Sequence, residues 1–504
     1  MQRNDQDEAE SFGGMESHRP RPKRTAISAL LTLVLLVNLA TSLYQLPLNR
    51  VIERRLCREY YDENDPSSIG PGGSVPEDMC KVDDVQKGIA WIQGAMDTAW
   101  IVGDFIMTIP LGFVAEKYGQ RTVLWINLIP RVFMLSWAVV VGYFEQNLPT
   151  KAIIAGPFLS GLGGDCVFNS MTYALAAGIT DNYVLRATYF GWMSSISYVV
   201  ALLGLTLASA TMSILLWLPF LIGIMLLLLA APTILLLPDH PEAGNADSSH
   251  AEASEQSRPL ISSPLLKAQG TERSVLHSIF ERIGTLKSLL ASHTRNLMLL
   301  FVSFFLASLA SSDSKLLAQY ISKRYHWTFA SAGYLLSGKA VVNFVLLTVV
   351  IPALLRSRHS SPSMQNSPKH TDRANIRYAL TCLVISVIGA IAIGLAVELW
   401  LLIPSLFIYA IGSALPVFTL SLLKSPAISP ERNDELKSTD TETHMFALVM
   451  MIKTLGSLVG APLMATLWMR GISLGGAALG VPYFTSAACY ALAIFAISMI
   501  RIQG

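Results

Sequence analysis

The sequence predicts an all-α polytopic membrane protein with twelve transmembrane helices in two six-helix bundles, and three observations carry that prediction. First, 52% of the 504 residues are hydrophobic and only 14% are charged, with a mean hydropathy of +0.47. Soluble globular chains carry about 25% charged residues. A chain this apolar lacks the polar surface to stay dissolved. Second, the apolar residues come in blocks of about 20, the length a helix needs to cross a ~30 Å hydrocarbon core. Third, six blocks precede a long polar stretch and six follow it, the organisation of paired bundles that rock about a central site.

In order, the first six blocks are 26–48, 88–115, 123–144, 152–179, 187–208 and 214–237. The second six are 297–317, 329–355, 377–397, 399–423, 445–469 and 482–500. Residues 1–25 read as a disordered cytoplasmic tail, with no secretory signal expected before the first block. The bundles then span 26–237 and 296–504. Between them, 238–295 is rich in Ser, Glu, His and Ala, too polar to bury a core, and reads as a cytoplasmic hinge with a short helix near 279–290.

Orientation follows from the basic residues. With the N-terminus inside, most of the 37 Lys and Arg fall on the cytoplasmic side. They include Arg19, Arg21, Lys23 and Arg24 before the first span, and Arg356, Arg358, Lys369, Arg373 and Arg377 between the eighth and ninth. Arg50, Arg54, Arg55 and Arg58 are the exception. Arg50, Arg54 and Arg58 recur every four residues and share a helix face, so the first span is expected to continue outside as a short helix. The same outer loop holds Cys57 and Cys80. An oxidising exterior favours a bridge between them, two free thiols being the alternative. Cys166, Cys382 and Cys489 lie within spans and read as packing residues. No N-glycosylation sequon occurs.

Eight ionisable residues fall in or beside the spans: Asp97, Asp104, Arg131, Asp165, Asp313, Lys315, Lys339 and Lys453. Intramembrane charge costs ~2.5–3.5 kcal/mol per residue, so each requires a partner or a wet cavity. Asp165 sits roughly 20 Å below Lys151 at helical rise, near mid-membrane. It is either a proton-coupling or substrate residue or the structural partner of Arg131. Asp104 and Lys339 also fall near mid-depth and carry the same two readings, as do Arg131, Lys453 and Asp97. Asp313 and Lys315 lie toward the outer end of the seventh span, where solvation alone would serve them. Trp192, Tyr198, Tyr409 and Phe418 either line an apolar cavity or pack.

The loop between the second and third spans contains Gly112, Glu116, Lys117, Gly119, Gln120 and Arg121. It resembles the signature G-x-x-x-D-R-x-G-R-R of the major facilitator superfamily, with Glu116 where Asp is usual and Gln120 where Arg is usual. Glycine allows the tight turn, and the charges can latch onto neighbouring helix ends. The resemblance implies the major facilitator fold, whose first, fourth, seventh and tenth spans line the cavity, and places Asp165 beside the transport path. The stretches RRLCREYY (54–61), VPEDMCK (75–81), LAQYISKR (317–324) and GYLLS (333–337) resemble a largely fungal group of drug and metabolite exporters. Asp181 and Arg186 are similar to a second cytoplasmic motif of that group. The antiporter run G-x-x-x-G-P-x-x-G-G is absent from the fifth span.

No G-x-x-x-x-G-K-[ST] loop is present, which excludes ATP-driven transport on this chain. Metal-ligand spacings and catalytic nucleophile motifs are absent too. The chain is therefore expected to be a transporter and not an enzyme. It is expected to use no cofactor beyond a proton gradient and to export small organic molecules as a monomer in the plasma membrane. Its partners would be a small-molecule substrate and the lipid bilayer, and the net charge of +2 suggests no nucleic acid. Proton-coupled uptake is the alternative, because the cysteine-bearing outer loop also resembles the proton-coupled folate carrier group; Arg131 or Lys339 would then bind an organic anion. A non-transporting sensor ranks below both.

Overall fold

The computed structural model describes residues 21–70, 75–144, 147–179, 183–237, 295–350, 368–423 and 438–500. Fourteen α-helices are labelled in chain order. The first half contains α1 (Arg21–Asn64), α2 (Asp83–Tyr118), α3 (Gln120–Tyr143), α4 (Asp165–Gly178), α5 (Tyr183–Ile214) and α6 (Leu218–Leu235). The second contains α7 (Arg295–Ser311), α8 (Leu317–Tyr325), α9 (Phe329–Val345), α10 (Pro368–Leu395), α11 (Leu399–Gly412), α12 (Leu415–Leu423), α13 (Ser438–Leu474) and α14 (Val481–Ser498). The hinge, apart from Arg295, lies outside the described residues, as does its expected helix.

Within the described residues every predicted apolar block coincides with helix, residues 351–355 of the eighth lying outside them, but three blocks expected to be continuous are broken. The fourth begins as a 3₁₀ segment (Thr150–Leu162) and restarts as α4 after Gly163 and Gly164. Gly163 has φ +112°, a backbone conformation that suits glycine and ends a helix. The seventh is interrupted by a 3₁₀ turn (Ser312–Lys315) and resumes as α8, beyond the expected end at 317. The tenth divides into α11 and α12. Among the described residues nine helices are long and apolar enough to cross a membrane. The second, fourth and tenth spans are not among them, and the fourth and tenth come in pieces.

Burial follows the halves. One apolar core is built from residues between Ala26 and Leu237. The other runs from Leu297 to Ile500, with Ala90 reaching in from α2. Large apolar side chains such as Phe158, Ile214, Trp400 and Leu474 stand outward. In water such a surface would drive aggregation; in lipid it is the solvent-facing side. Tight packing, not hydrophobic exclusion, then holds helix to helix. The halves meet where α2 packs on α13 and α5 on α9. Glycines permit that approach. A Cβ on Gly94 would stand 2.5 Å from Ala465, and one on Gly333 would stand 2.0 Å from the Ser209 hydroxyl.

Candidate functional site

The break in the fourth span organises the first half of the site. Restarting a helix exposes its first N–H groups inside the protein, where each needs an acceptor. Asp104 on α2 supplies it: its carboxylate accepts from the backbone N–H of Gly164 (2.9 Å), Cys166 (2.7 Å) and Val167 (3.3 Å). Negative charge at a helix N-terminus is also favoured by the helix dipole. Asp104 is buried and is taken up by this capping.

Asp165 opens α4 and is held differently. Its Oδ1 accepts from Arg131 Nη2 at 2.8 Å, and its Oδ2 from Trp100 Nε1 at 3.4 Å. The side chain of Asp165 is 54% exposed, whereas that of Arg131 is only 3% exposed. The carboxylate thus forms the accessible wall and the guanidinium stands behind it. Arg131 also donates to Asn127 Oδ1 (3.2 Å) and Thr41 Oγ1 (3.0 Å), and lies over the rings of Phe168 and Trp100. Asn127 in turn donates to the Gly164 carbonyl at 2.9 Å, tying the arginine to the same break. The void beside Arg131, lined by Tyr44, Trp100 and Leu227 among others, is about 10 Å³, too small for a substrate.

In the second half Asp313 lies in the 3₁₀ turn of the seventh span and is wholly buried. The expected solvation at the outer end does not hold, because the helix continues past it and the fold closes over it. Both Asp313 carboxylate oxygens accept from Tyr409 Oη, at 2.9 and 3.0 Å, and Tyr409 and Tyr490 hydroxyls are 3.2 Å apart. Lys339 Nζ sits 5.1 Å from the centroid of the Tyr409 ring, within electrostatic reach of Asp313. Tyr409 therefore completes a buried polar cluster, and buried Phe418 stacks on Tyr378 at 5.0 Å. Trp192 is exposed and Tyr198 half-buried. Lys315 reaches across the halves to Asp97 at 3.4 Å. Lys453 on α13 is half-buried.

A third cluster joins the halves at the end that carries Cys57 and Cys80, whose sulfurs are bonded with Cα atoms 5.2 Å apart. Helix α1 runs on to Asn64, as the arginine spacing suggested, and those arginines have structural duties. Arg50 pairs with Glu53 (2.8 Å) and Glu77 (3.1 Å). Buried Arg55 donates to the carbonyls of Val141 and Leu148. Lys81, next to Cys80, meets Glu53 at 2.7 Å and Glu77 at 3.5 Å. It also donates to Ser322 Oγ of the other half at 2.6 Å. Glu77 accepts from Phe329 N–H at 2.8 Å, and Lys323 pairs with Asp83 at 2.5 Å. Deeper in, Gln319 contacts Gln93 and Asn49. In the sequence only the cysteine pair and the arginine face of α1 hinted at this network.

At the opposite end, α2 stops at Gly119 (φ +89°), whose N–H returns to the Ala115 carbonyl at 3.0 Å. One residue thus turns the chain into α3. Arg121 Nη2 donates to the Leu235 carbonyl, 3.0 Å away at the C-terminus of α6, and Lys117 lies over the Tyr118 ring. Gly112 and Glu116 belong to the last turns of α2. Arg186 falls in the first turn of α5, while Asp181 lies outside the described residues.

This architecture agrees with the comparisons. The Major Facilitator Superfamily model matches residues 86–461. The efflux pump atnC of Emericella nidulans is 26% identical over 91% of this chain and 83% of its own length. The efflux pump ustT of Aspergillus flavus is 25% identical, over 95% and 89%. Among solved structures, a D-xylose-proton symporter superposes with a TM-score of 0.59 at 12% identity, over 95% of this chain and 97% of its own. The human organic anion transporter MFSD10 does so with 0.54 at 16% identity, over 95% and 100%. With the signature turn, the paired cores and a family match across both halves, the chain belongs to the major facilitator superfamily and is a multi-pass membrane transporter.

Proposed function

We propose that the protein is a secondary active exporter of small organic molecules, driven by proton antiport and working by alternating access. The observation that carries this reading is Asp165: a half-exposed carboxylate at a helix break, backed by a buried arginine. A proton arriving on Asp165 cancels the charge that Arg131 faces and loosens the 2.8 Å ion pair. A two-state element of this kind can be biased by protonation. Fungal relatives named as efflux pumps support export over import. For the alternative, uptake of an organic anion, Arg131 is poorly suited, since it is sealed behind Asp165.

In this reading the chain sits in the plasma membrane as a monomer with both termini in the cytoplasm, and no cofactor takes part. The disulfide end then faces outward. Among the described residues the hydrogen bonds and ion pairs between the halves gather there, which favours a conformation open to the cytoplasm, ready to load.

Inside-out vesicles with an imposed proton gradient and a panel of amphipathic organic compounds test the reading. Wild-type vesicles should accumulate at least one compound against its gradient, and dissipating the proton gradient should abolish the accumulation. Asp165→Asn should lose gradient-driven accumulation while retaining exchange of the compound down its own gradient. A well-folded Asp165→Asn protein that still concentrates substrate would remove Asp165 from coupling.

A further inference from the structure

The intramembrane cations are not equivalent once their surroundings are known. Arg131 has Asp165 at 2.8 Å, Lys315 has Asp97 at 3.4 Å, and Lys339 lies within reach of Asp313. Lys339 and Lys453 form neither an ion pair nor a side-chain hydrogen bond among the described residues, but Lys339 lies over the Tyr409 ring near Asp313, whereas no acid of the described residues acts on Lys453. It lies eight residues past the start of the eleventh span at 445, roughly 12 Å along the axis at helical rise, and is thus within the span. An ammonium at that depth without a counter-charge is costly. It is nevertheless only half-buried, so a small ion or molecule can reach it.

Its setting is polar, on the face of α13 that packs against the seventh span. Lys453, Gly456 and Gly460 share one face of α13, and the two glycines abut Phe305, Ser308, Leu309 and Ser312 of the seventh span. The Ser308 hydroxyl donates to the Lys453 carbonyl at 2.6 Å and stands 2.9 Å from the Ser457 hydroxyl. Further along, α13 packs on α2 of the other half through Ala465 and Gly94. The charge balance of the halves points the same way. The first half places Asp97, Asp104 and Asp165 against Arg131, and the second places Lys315, Lys339 and Lys453 against Asp313. Among these residues the first half thus carries an acidic excess and the second a basic one, with Lys453 the cation that no acid of the described residues offsets.

We propose that Lys453 is an anion-binding residue of the transport site, so that the protein takes substrates through a carboxylate or comparable anionic group. This rests on the transport reading above but concerns binding, and is tested without a gradient. The purified protein is melted with N-acetyltryptophan, N-acetyl-leucyl-leucine and cinnamate, each beside its methyl ester. At least one carboxylate should raise the melting temperature more than its ester does. That difference should vanish in Lys453→Gln and persist in Lys453→Arg. Without ligand, Lys453→Gln should melt at or above the wild-type temperature, since it removes an uncompensated charge. If none of the carboxylates outperforms its ester, or if Lys453→Gln keeps the difference, the proposal is overturned. A fall in the unliganded melting temperature of Lys453→Gln would also overturn it, by revealing a structural partner. Export failing in vesicles while the carboxylate effect persists would refute the transport reading and leave this one standing.

Discussion

At the scale of single residues, one ion pair carries the proposed coupling and the main structural risk. Arg131 is buried against Phe168 and Trp100, and Asp165 is its only ion-pair partner among the described residues. Removing one member of a fully buried pair costs ~3–5 kcal/mol, because the other is left uncompensated; with Asp165 half-exposed the loss here should be smaller. The charge exchange Asp165→Arg with Arg131→Asp distinguishes the roles. A purely structural lock should recover most of that loss in thermal unfolding, and transport with it. A coupling carboxylate must stand on the exposed side, so the exchanged protein should fold yet fail to concentrate substrate. Recovery of both would show that Asp165 serves the fold alone. The pairing of these two residues was legible in the sequence as one of two readings. Which of them faces the open side was not, since exposure depends on how α3 and α4 rotate against each other.

At the scale of elements, the broken fourth span explains why Asp104 was hard to read. A carboxylate in the second span and two glycines in the fourth are about 60 residues apart, and nothing in either stretch announces that one caps the other. A glycine pair reads as close helix packing until the backbone is seen to leave the helix at Gly163. The consequence is a stability prediction. Asp104→Ala orphans three backbone N–H groups around Gly164, Cys166 and Val167. An unsatisfied buried donor costs ~1–3 kcal/mol, so the variant should lose several kcal/mol and express poorly. Asp104→Asn retains one acceptor oxygen and should fall between. Thermal unfolding in detergent measures both. An Asp104→Ala protein that melts like the wild type would leave the break without its cap and Asp104 free for another role. The seventh span gives the same lesson. Ser311, Ser312, Asp313 and Ser314 look like the wet end of a helix, yet α8 continues beyond them and Asp313 ends up buried beneath Tyr409.

At the scale of the whole molecule, block lengths and the polar midpoint were enough to anticipate the helices and the paired cores, because apolar length is what a bilayer demands. The latch between the halves could not be read in the same way. Its members come from four separate stretches: Arg50 and Glu53, Glu77 to Asp83, Ser322 and Lys323, and Phe329. The disulfide next to Lys81 fixes one side of it by tying the α2 approach to α1. Two acids and two bases neutralise one another within the first half. Among the described residues the crossing hydrogen bonds and ion pairs at this end are Lys81 to Ser322, Phe329 N–H to Glu77, Lys323 to Asp83 and to the Lys81 carbonyl, and, deeper in, Gln319 to Gln93 and Asn49. Such an arrangement is stable enough to close and has little to break when it opens. If transport requires this end to part, joining it covalently must stop the cycle. Asp83→Cys with Lys323→Cys, in a protein whose Cys166, Cys382 and Cys489 are replaced by serine, can be bridged by a short bifunctional thiol reagent. Gating motions of this kind set turnover, so transport should collapse on bridging, while each single-cysteine control keeps its rate after the same treatment. Ligand-induced thermal shifts should survive bridging, because the opposite end stays free to admit a ligand. A bridged protein that transports at the rate of its controls would mean that the latch is permanent and that the halves move apart elsewhere.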